Sequence, residues 1–203
     1  MNLSRLHPLG VTSYTIALEA PPAEPLAAGY DYILAGNGLF LRAANRFFAL
    51  TQCIAPATVR GLVPLEPSFE LKVPCLPAAL LTTVLAHART QGQREILYYV
   101  RHDGQKCRLT VPAQHRSATH ILSSGGGGDD ILLEIHSHHA MPAFWSETDN
   151  QDELGFRAYM VLGRIFGNRP ELRLRIGVYG YHFELPVSAL FVEATLAGNP
   201  FSL

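Results

Sequence analysis

Three side chains in one short stretch have the types and spacing of a metal site. His136 and His138 stand two positions apart behind the apolar run Ile131-Leu132-Leu133, and Asp149 follows eleven positions after His138. In an extended strand alternate side chains project to the same face, about 7 Å apart, so the two imidazoles can face one ion from the end of a buried strand. Ser146 and Thr148 are good N-cap residues, and Asp149, Asp152 and Glu153 put negative charge where a helix begins. A strand end and a helix start would then converge with two nitrogens and one carboxylate oxygen. Three protein ligands leave a fourth tetrahedral position open, the arrangement that catalytic zinc uses and structural zinc does not. Two histidines and one carboxylate with open positions also describe non-haem iron(II) sites, although their usual local order, a His close to an acid with the second His distant, differs from this one.

His136-Ser137-His138, seven residues, then Ser146-x-x-Asp149 resembles the signature of the JAMM (MPN-plus, Mov34/PAD-1) metalloproteases, over about residues 76–183. The resemblance implies a cytidine-deaminase-like α/β sandwich with a mixed sheet, a bound zinc ion, and hydrolysis of a peptide or isopeptide bond. It implies that His136, His138 and Asp149 are the ligands and that Ser146 stabilises the tetrahedral intermediate. It also implies a glutamate after the first helix, at the opening of a strand, that accepts a proton from the attacking water. Glu95, just before Ile96-Leu97-Tyr98-Tyr99-Val100, matches that context. Its competitor is Glu134, which shares strand parity with both histidines and is equally placed to orient an imidazole. The family usually has proline after the second histidine. Here that position is His139, whose parity directs it away from the ligands and predicts a solvated loop residue.

The resemblance further implies a ubiquitin-like protein as substrate, cleaved at its C-terminus. A strand-rich leader before a short prokaryotic-type core resembles the JAMM component of ParB-related, ThiF-related cassettes (PRTRC), which implies an E1-like (ThiF-like) partner. Some members of the fold are silent scaffolds, but these typically lack the ligands, and this chain keeps all three.

The elements that must position these residues follow from periodicity. Pro77 suits the first turn of a helix whose Leu80, Leu81, Val84 and Leu85 recur at helical spacing, with Gly92 as its stop and His87 on its surface. Lys106 to Val111 reads as a second strand after the Asp103-Gly104 turn, and the run Gly125–Gly128 as a mobile loop; lacking a following Lys-Ser/Thr, it is not a P-loop. A helix is predicted from about Asp149 to Phe166. Beyond it Leu172, Leu174 and Ile176 alternate with Arg173 and Arg175, a half-buried strand with its arginines outward; Val178 to Leu185 is another, and a short helix is expected from Val187. The leader, residues 1–75, is a separate strand-rich extension before the 76–203 domain: Thr12 to Leu18, a hairpin of Tyr30 to Ala35 and Leu39 to Ala43 around Gly36-Asn37-Gly38, and Phe47 to Ile54.

Composition narrows the function classes. With 203 residues, 48% hydrophobic and 16% charged, the chain can bury a real core, and a net charge of -1 with no basic run argues against nucleic-acid binding. Cys53, Cys75 and Cys107 form no CxxC pair, so neither a disulfide framework nor a cysteine zinc site is expected. The N-terminal residues lack the apolar core of a signal peptide and no run reaches the ~20 residues of a membrane helix, so a cytoplasmic protein is expected.

Overall fold

A computed structural model describes residues 12–21, 25–116, 121–123 and 128–192. The chain forms two compact units, Met1–Val73 and Pro74–Leu203.

The first unit is a five-stranded sheet in sequential order: β1 (Thr12–Ile16), β2 (Tyr30–Ala35), β3 (Gly38–Ala44), β4 (Phe48–Pro56) and β5 (Ser68–Leu71). β1 is parallel to β2 and the remaining pairs are antiparallel. The expected hairpin joins β2 to β3, with Ala35 opposite Gly38. Asn37 serves it through its side chain, which exchanges two hydrogen bonds with the Leu65 backbone. Ala17, Ile33, Ala35 and Phe40 form a core cluster. Beside them Asp31, fully buried, takes the Arg42 guanidinium at 2.9 Å and accepts from the backbone amides of Leu26 and Ala27.

The second unit opens with β6 (Leu76–Pro77) and α1 (Ala78–Thr90), whose buried residues Leu80, Leu81, Val84 and Ala88 follow the helical stripe. Gly92, at φ +67°, lies just past its C-cap, where the left-handed turn that ends a helix favours glycine. Then come β7 (Leu97–His102), β8 (Cys107–Thr110), the small pair β9 (Gln114–Arg116) and β10 (Ile121–Ser123), and β11 (Ile131–Ser137). Of the glycine run, 125–127 lie outside the described residues. After β11 follow α2 (Glu147–Asp152), β12 (Arg157–Gly163), β13 (Glu171–Val178), β14 (Tyr181–Leu185), a 3-10 turn at Val187–Ala189 and β15 (Phe191–Val192), which pairs with β6. The main sheet has the order β14-β13-β12-β11-β7-β8, with β11 and β12 parallel and the other pairs antiparallel. The domain is thus an α/β fold with a mixed sheet.

The helix expected to run to Phe166 is the main correction. It stops at Asp152, and Arg157–Gly163 is a central strand. Ala158, Tyr159, Met160, Val161 and Leu162 are buried on both faces, and such a continuous apolar run fits a fully covered strand as well as a buried helix segment. The sheet decides: the run lies between β11 and β13, and both neighbours take its backbone hydrogen bonds.

Register sorts the sheet into two faces. One carries Tyr98, Ile135, Met160 and Leu174 in a row, with α1 against it, His87 Nδ1 lying 2.9 Å from the Tyr98 hydroxyl. His87 is therefore a half-buried, bonded residue. The other face carries two parallel rows: Tyr99, Glu134, Tyr159, Arg175 and Glu184, and beside it Leu97, His136, Val161 and Arg173. The polar chemistry lies on that second face.

Candidate metal centre

His136 is the penultimate residue of β11, and His138 follows its last residue. The strand's end is held on both sides. Ser137 N donates to Ile96 O at 3.2 Å, the Ser137 hydroxyl accepts from Ile96 N, and His138 N donates to Leu162 O at 2.7 Å. The imidazoles are thereby fixed on a strand with neighbours left and right, and their Nε2 atoms lie 3.2 Å apart.

Asp149 comes from α2 and is fixed differently. Ser146 is the N-cap: its hydroxyl accepts from Asp149 N at 3.1 Å, and Ser146 N donates to Asp149 Oδ2 at 2.7 Å, a reciprocal capping box. With Oδ2 so engaged, Oδ1 points at His136 Nε2, 3.4 Å away. One ligand atom from each of His136, His138 and Asp149 lies within 4.8 Å of the others. A tetrahedral ion with bonds of about 2.0–2.1 Å has ligand–ligand edges of about 3.3–3.4 Å. Two separations, 3.2 and 3.4 Å, match those edges and the third, between His138 and Asp149, lies within 4.8 Å, so the donor set is close to what such an ion needs.

Electrostatics support the same use. Burial pushes the His136 imidazole down to about 4, more than the Asp149 carboxylate raises it, and burial lowers His138 as well. Both rings are then neutral at physiological pH, the form in which histidine binds metal. Glu95, 7% exposed, is pushed up to about 7, first by burial and then by the Asp149 carboxylate. It immediately precedes Ile96, whose backbone is bonded to Ser137 between the two histidines. Glu134 is also raised to about 7 by burial, but Arg157 stands 3.6 Å from its carboxylate and opposes the rise.

Residues 139–145 pass close over the end of β12. Arg164 N donates to Met141 O, Ile165 N to His139 O, and Ala143 N to Glu171 Oε2. Gly163 permits this approach: a Cβ there would stand 2.0 Å from Ala143 N. His139 is not the solvated residue its parity suggested. It is 6% exposed and has φ +49°, a conformation that the proline common in JAMM proteins, fixed near −65°, cannot adopt. The loop therefore leaves His138 along another path and folds the ring inward, outside the ligand group.

Two further expectations change. Arg175 points inward, not to solvent: its Nε and Nη2 lie 2.7 and 2.6 Å from Glu153 Oε2, with both side chains almost fully buried. Glu153 is accordingly a buried ion-pair partner and not a helix-start charge. Trp145 is a residue that sequence reasoning missed. Its ring lies 3.9 Å from the Arg175 guanidinium carbon and 6.5 Å from the His136 ring, and its Nε1 donates to Glu184. It is the chain's only tryptophan and directly precedes the Ser-x-x-Asp motif, a signal that was there to use.

A family model described as prokaryotic homologs of the JAB domain matches residues 77–176. The chain carries a JAB domain of the prokaryotic type. The match runs from the N-cap of α1 to Ile176 in β13 and takes in Glu95, His136, His138, Ser146 and Asp149. No curated protein matches the chain. Among the described residues no helix is long and apolar enough to cross a membrane.

Proposed function

We propose that the JAB domain of this chain is a zinc-dependent peptidase or isopeptidase that cleaves at the C-terminus of a ubiquitin-like protein. The observation that carries the reading is the donor set: His136 Nε2, His138 Nε2 and Asp149 Oδ1, with two of the three separations at tetrahedral edge length. Zinc held there would supply Lewis acidity and water acidified toward a pKa of about 7.

The chain's own groups would do the rest. Glu95 would accept the proton of the attacking water and hand it to the leaving amine; a carboxyl whose pKa lies near 7 can do both at neutral pH. The Ser146 hydroxyl accepts one hydrogen bond from Asp149 N, which leaves its own proton to donate to the substrate's carbonyl oxygen. Glu134, tied to Arg157, would serve as an orienting group. The substrate class rests on the likeness of the His-x-His, Ser-x-x-Asp motif to JAMM isopeptidases. The strand-rich leader before a short JAMM-like core supports a PRTRC-type cassette with an E1-like (ThiF-like) partner.

The test is metal content by elemental mass spectrometry for tag-free wild type beside Asp149→Ala, followed by cleavage of ubiquitin-like fusions. About one zinc per chain, lost in the variant, with hydrolysis abolished in Glu95→Gln and retained in Glu134→Gln, is the expected result. Bound iron would point to redox chemistry. Zinc without hydrolysis of any ubiquitin-like fusion would make the domain a metal-bound scaffold.

A further inference from the structure

We propose that Arg175 is a positioning residue for Asp149: its guanidinium fastens residues 145–153 to the sheet and thereby sets where the third ligand stands. This rests on the metal-site reading above and extends it to a residue with no ligand atom of its own.

No apolar contact of its own holds α2 against the sheet. The helix has six residues, Glu147–Asp152, and none of them is buried. A single isolated turn and a half of helix does not persist in water, and a helix without an apolar face has no hydrophobic reason to stay against a sheet. The capping box joins Ser146 to Asp149 and fixes the shape of the first turn. It does not fix where that turn lies.

Arg175 does. It reaches from β13, opposite Tyr159, onto the face that bears Glu134 and His136. Its guanidinium stacks on Trp145 at 3.9 Å before the helix, donates from Nη1 to Asn150 Oδ1 at 2.7 Å within it, and donates from Nε to Glu153 Oε2 at 2.7 Å after it. The three contacts bracket Asp149 in sequence. Glu184, directly opposite Arg175 in β14, adds a fourth tie by accepting from Trp145 Nε1. The planar, five-donor fork of arginine makes these contacts at once, which a lysine ammonium cannot. Side-chain exposures of 3% for Arg175 and 5% for Glu153 keep water from competing.

The experiment measures zinc affinity by chelator competition and the visible spectrum of the cobalt(II) form. The proteins are wild type, Asp149→Ala, Arg175→Met, and Arg175→Met with Glu153→Leu. The last removes the buried pair without stranding a charge, a replacement that is often neutral for stability. Asn150→Ala, at a half-exposed site, removes a single contact and leaves the fold intact. Both Arg175 variants should bind zinc about 10–100-fold more weakly, as loss of a ligand-orienting partner does, and Asn150→Ala more weakly by a smaller factor. The cobalt spectrum should lose intensity in the same order. The protein that combines Asp149→Ala with Arg175→Met and Glu153→Leu should bind zinc no more weakly than Asp149→Ala by itself, because Arg175 acts through that ligand.

Wild-type affinity in the Arg175→Met, Glu153→Leu and Asn150→Ala proteins would overturn the proposal and leave the metal site standing. So would weaker zinc binding by the combined variant than by Asp149→Ala by itself. A wild-type protein that binds no zinc would overturn the metal-site reading itself.

Discussion

Gly163→Ala should loosen the loop that follows the second histidine. A Cβ on Gly163 would lie 2.0 Å from Ala143 N and 2.4 Å from Pro142 C, both backbone atoms. An ordinary contact of about 3.5 Å requires the loop to retreat by about 1.5 Å. Three hydrogen bonds stand in the way: Arg164 N to Met141 O at 2.7 Å, Ile165 N to His139 O at 2.8 Å, and Ala143 N to Glu171 Oε2 at 3.0 Å. Losing two of them at about 1 kcal/mol each, or keeping them under overpacking strain of about 1–3 kcal/mol, predicts a loss of about 1–3 kcal/mol. The assay is urea unfolding of the metal-free protein, followed by zinc affinity, which should also fall because the loop leaves directly from His138. Gly167→Ala is the control: its nearest neighbour is Arg164 O at 3.3 Å, so its cost should stay below about 1 kcal/mol. Stability within about 0.5 kcal/mol of wild type for Gly163→Ala, with unchanged zinc affinity, would refute the reasoning.

The single tryptophan supplies a direct reading of the site: cobalt(II) should quench Trp145 emission with a 1:1 endpoint, and His136→Ala should abolish the response; a titration unaffected by that variant would place the ion elsewhere. Ser146→Ala removes both a cap, worth about 1 kcal/mol, and a hydroxyl donor, whereas Ser146→Asp, acceptor-only when ionised, keeps the cap alone. Both should lose about 10²-fold or more in kcat, with helix capping better preserved in Ser146→Asp, and full activity in either variant would exclude the donor role. In the first unit, Asp31→Asn takes the carboxylate from buried Arg42 and should cost about 3–5 kcal/mol, while Asp31→Asn with Arg42→Met should recover part of the loss by thermal unfolding. Equal melting of the two would remove the ion pair as the cause.

The grouping of His136, His138 and Asp149 and the elements that open the domain were legible because each has a local signature. Pro77 and Gly92 bound α1, the β2–β3 hairpin surrounds Gly36-Asn37, and His-x-His at a strand end leaves little freedom in where the rings point. The errors share one cause, which is that the deciding partner is remote in sequence. Ala158 to Leu162 reads equally as helix or covered strand until β11 and β13 flank it. Arg175 alternates with apolar residues as an outward residue would, yet its face of β13 is covered by residues 145–153, and partners far upstream, Glu153 above all, make its burial tolerable. Strand parity directs His139 outward, but the strand ends at Ser137 and the residue's own φ is positive.

The parallel pairing of β11 with β12 has a consequence for how this domain can change. Two parallel neighbours cannot be joined by a tight turn and need a connection of a dozen residues or more. Here that connection is residues 138–156, the segment that holds His138, Ser146 and Asp149. The segment cannot be reduced to a tight turn without separating two central strands. A silenced descendant of such a domain would therefore keep a long crossover, as the vestige of a site whose side chains had gone.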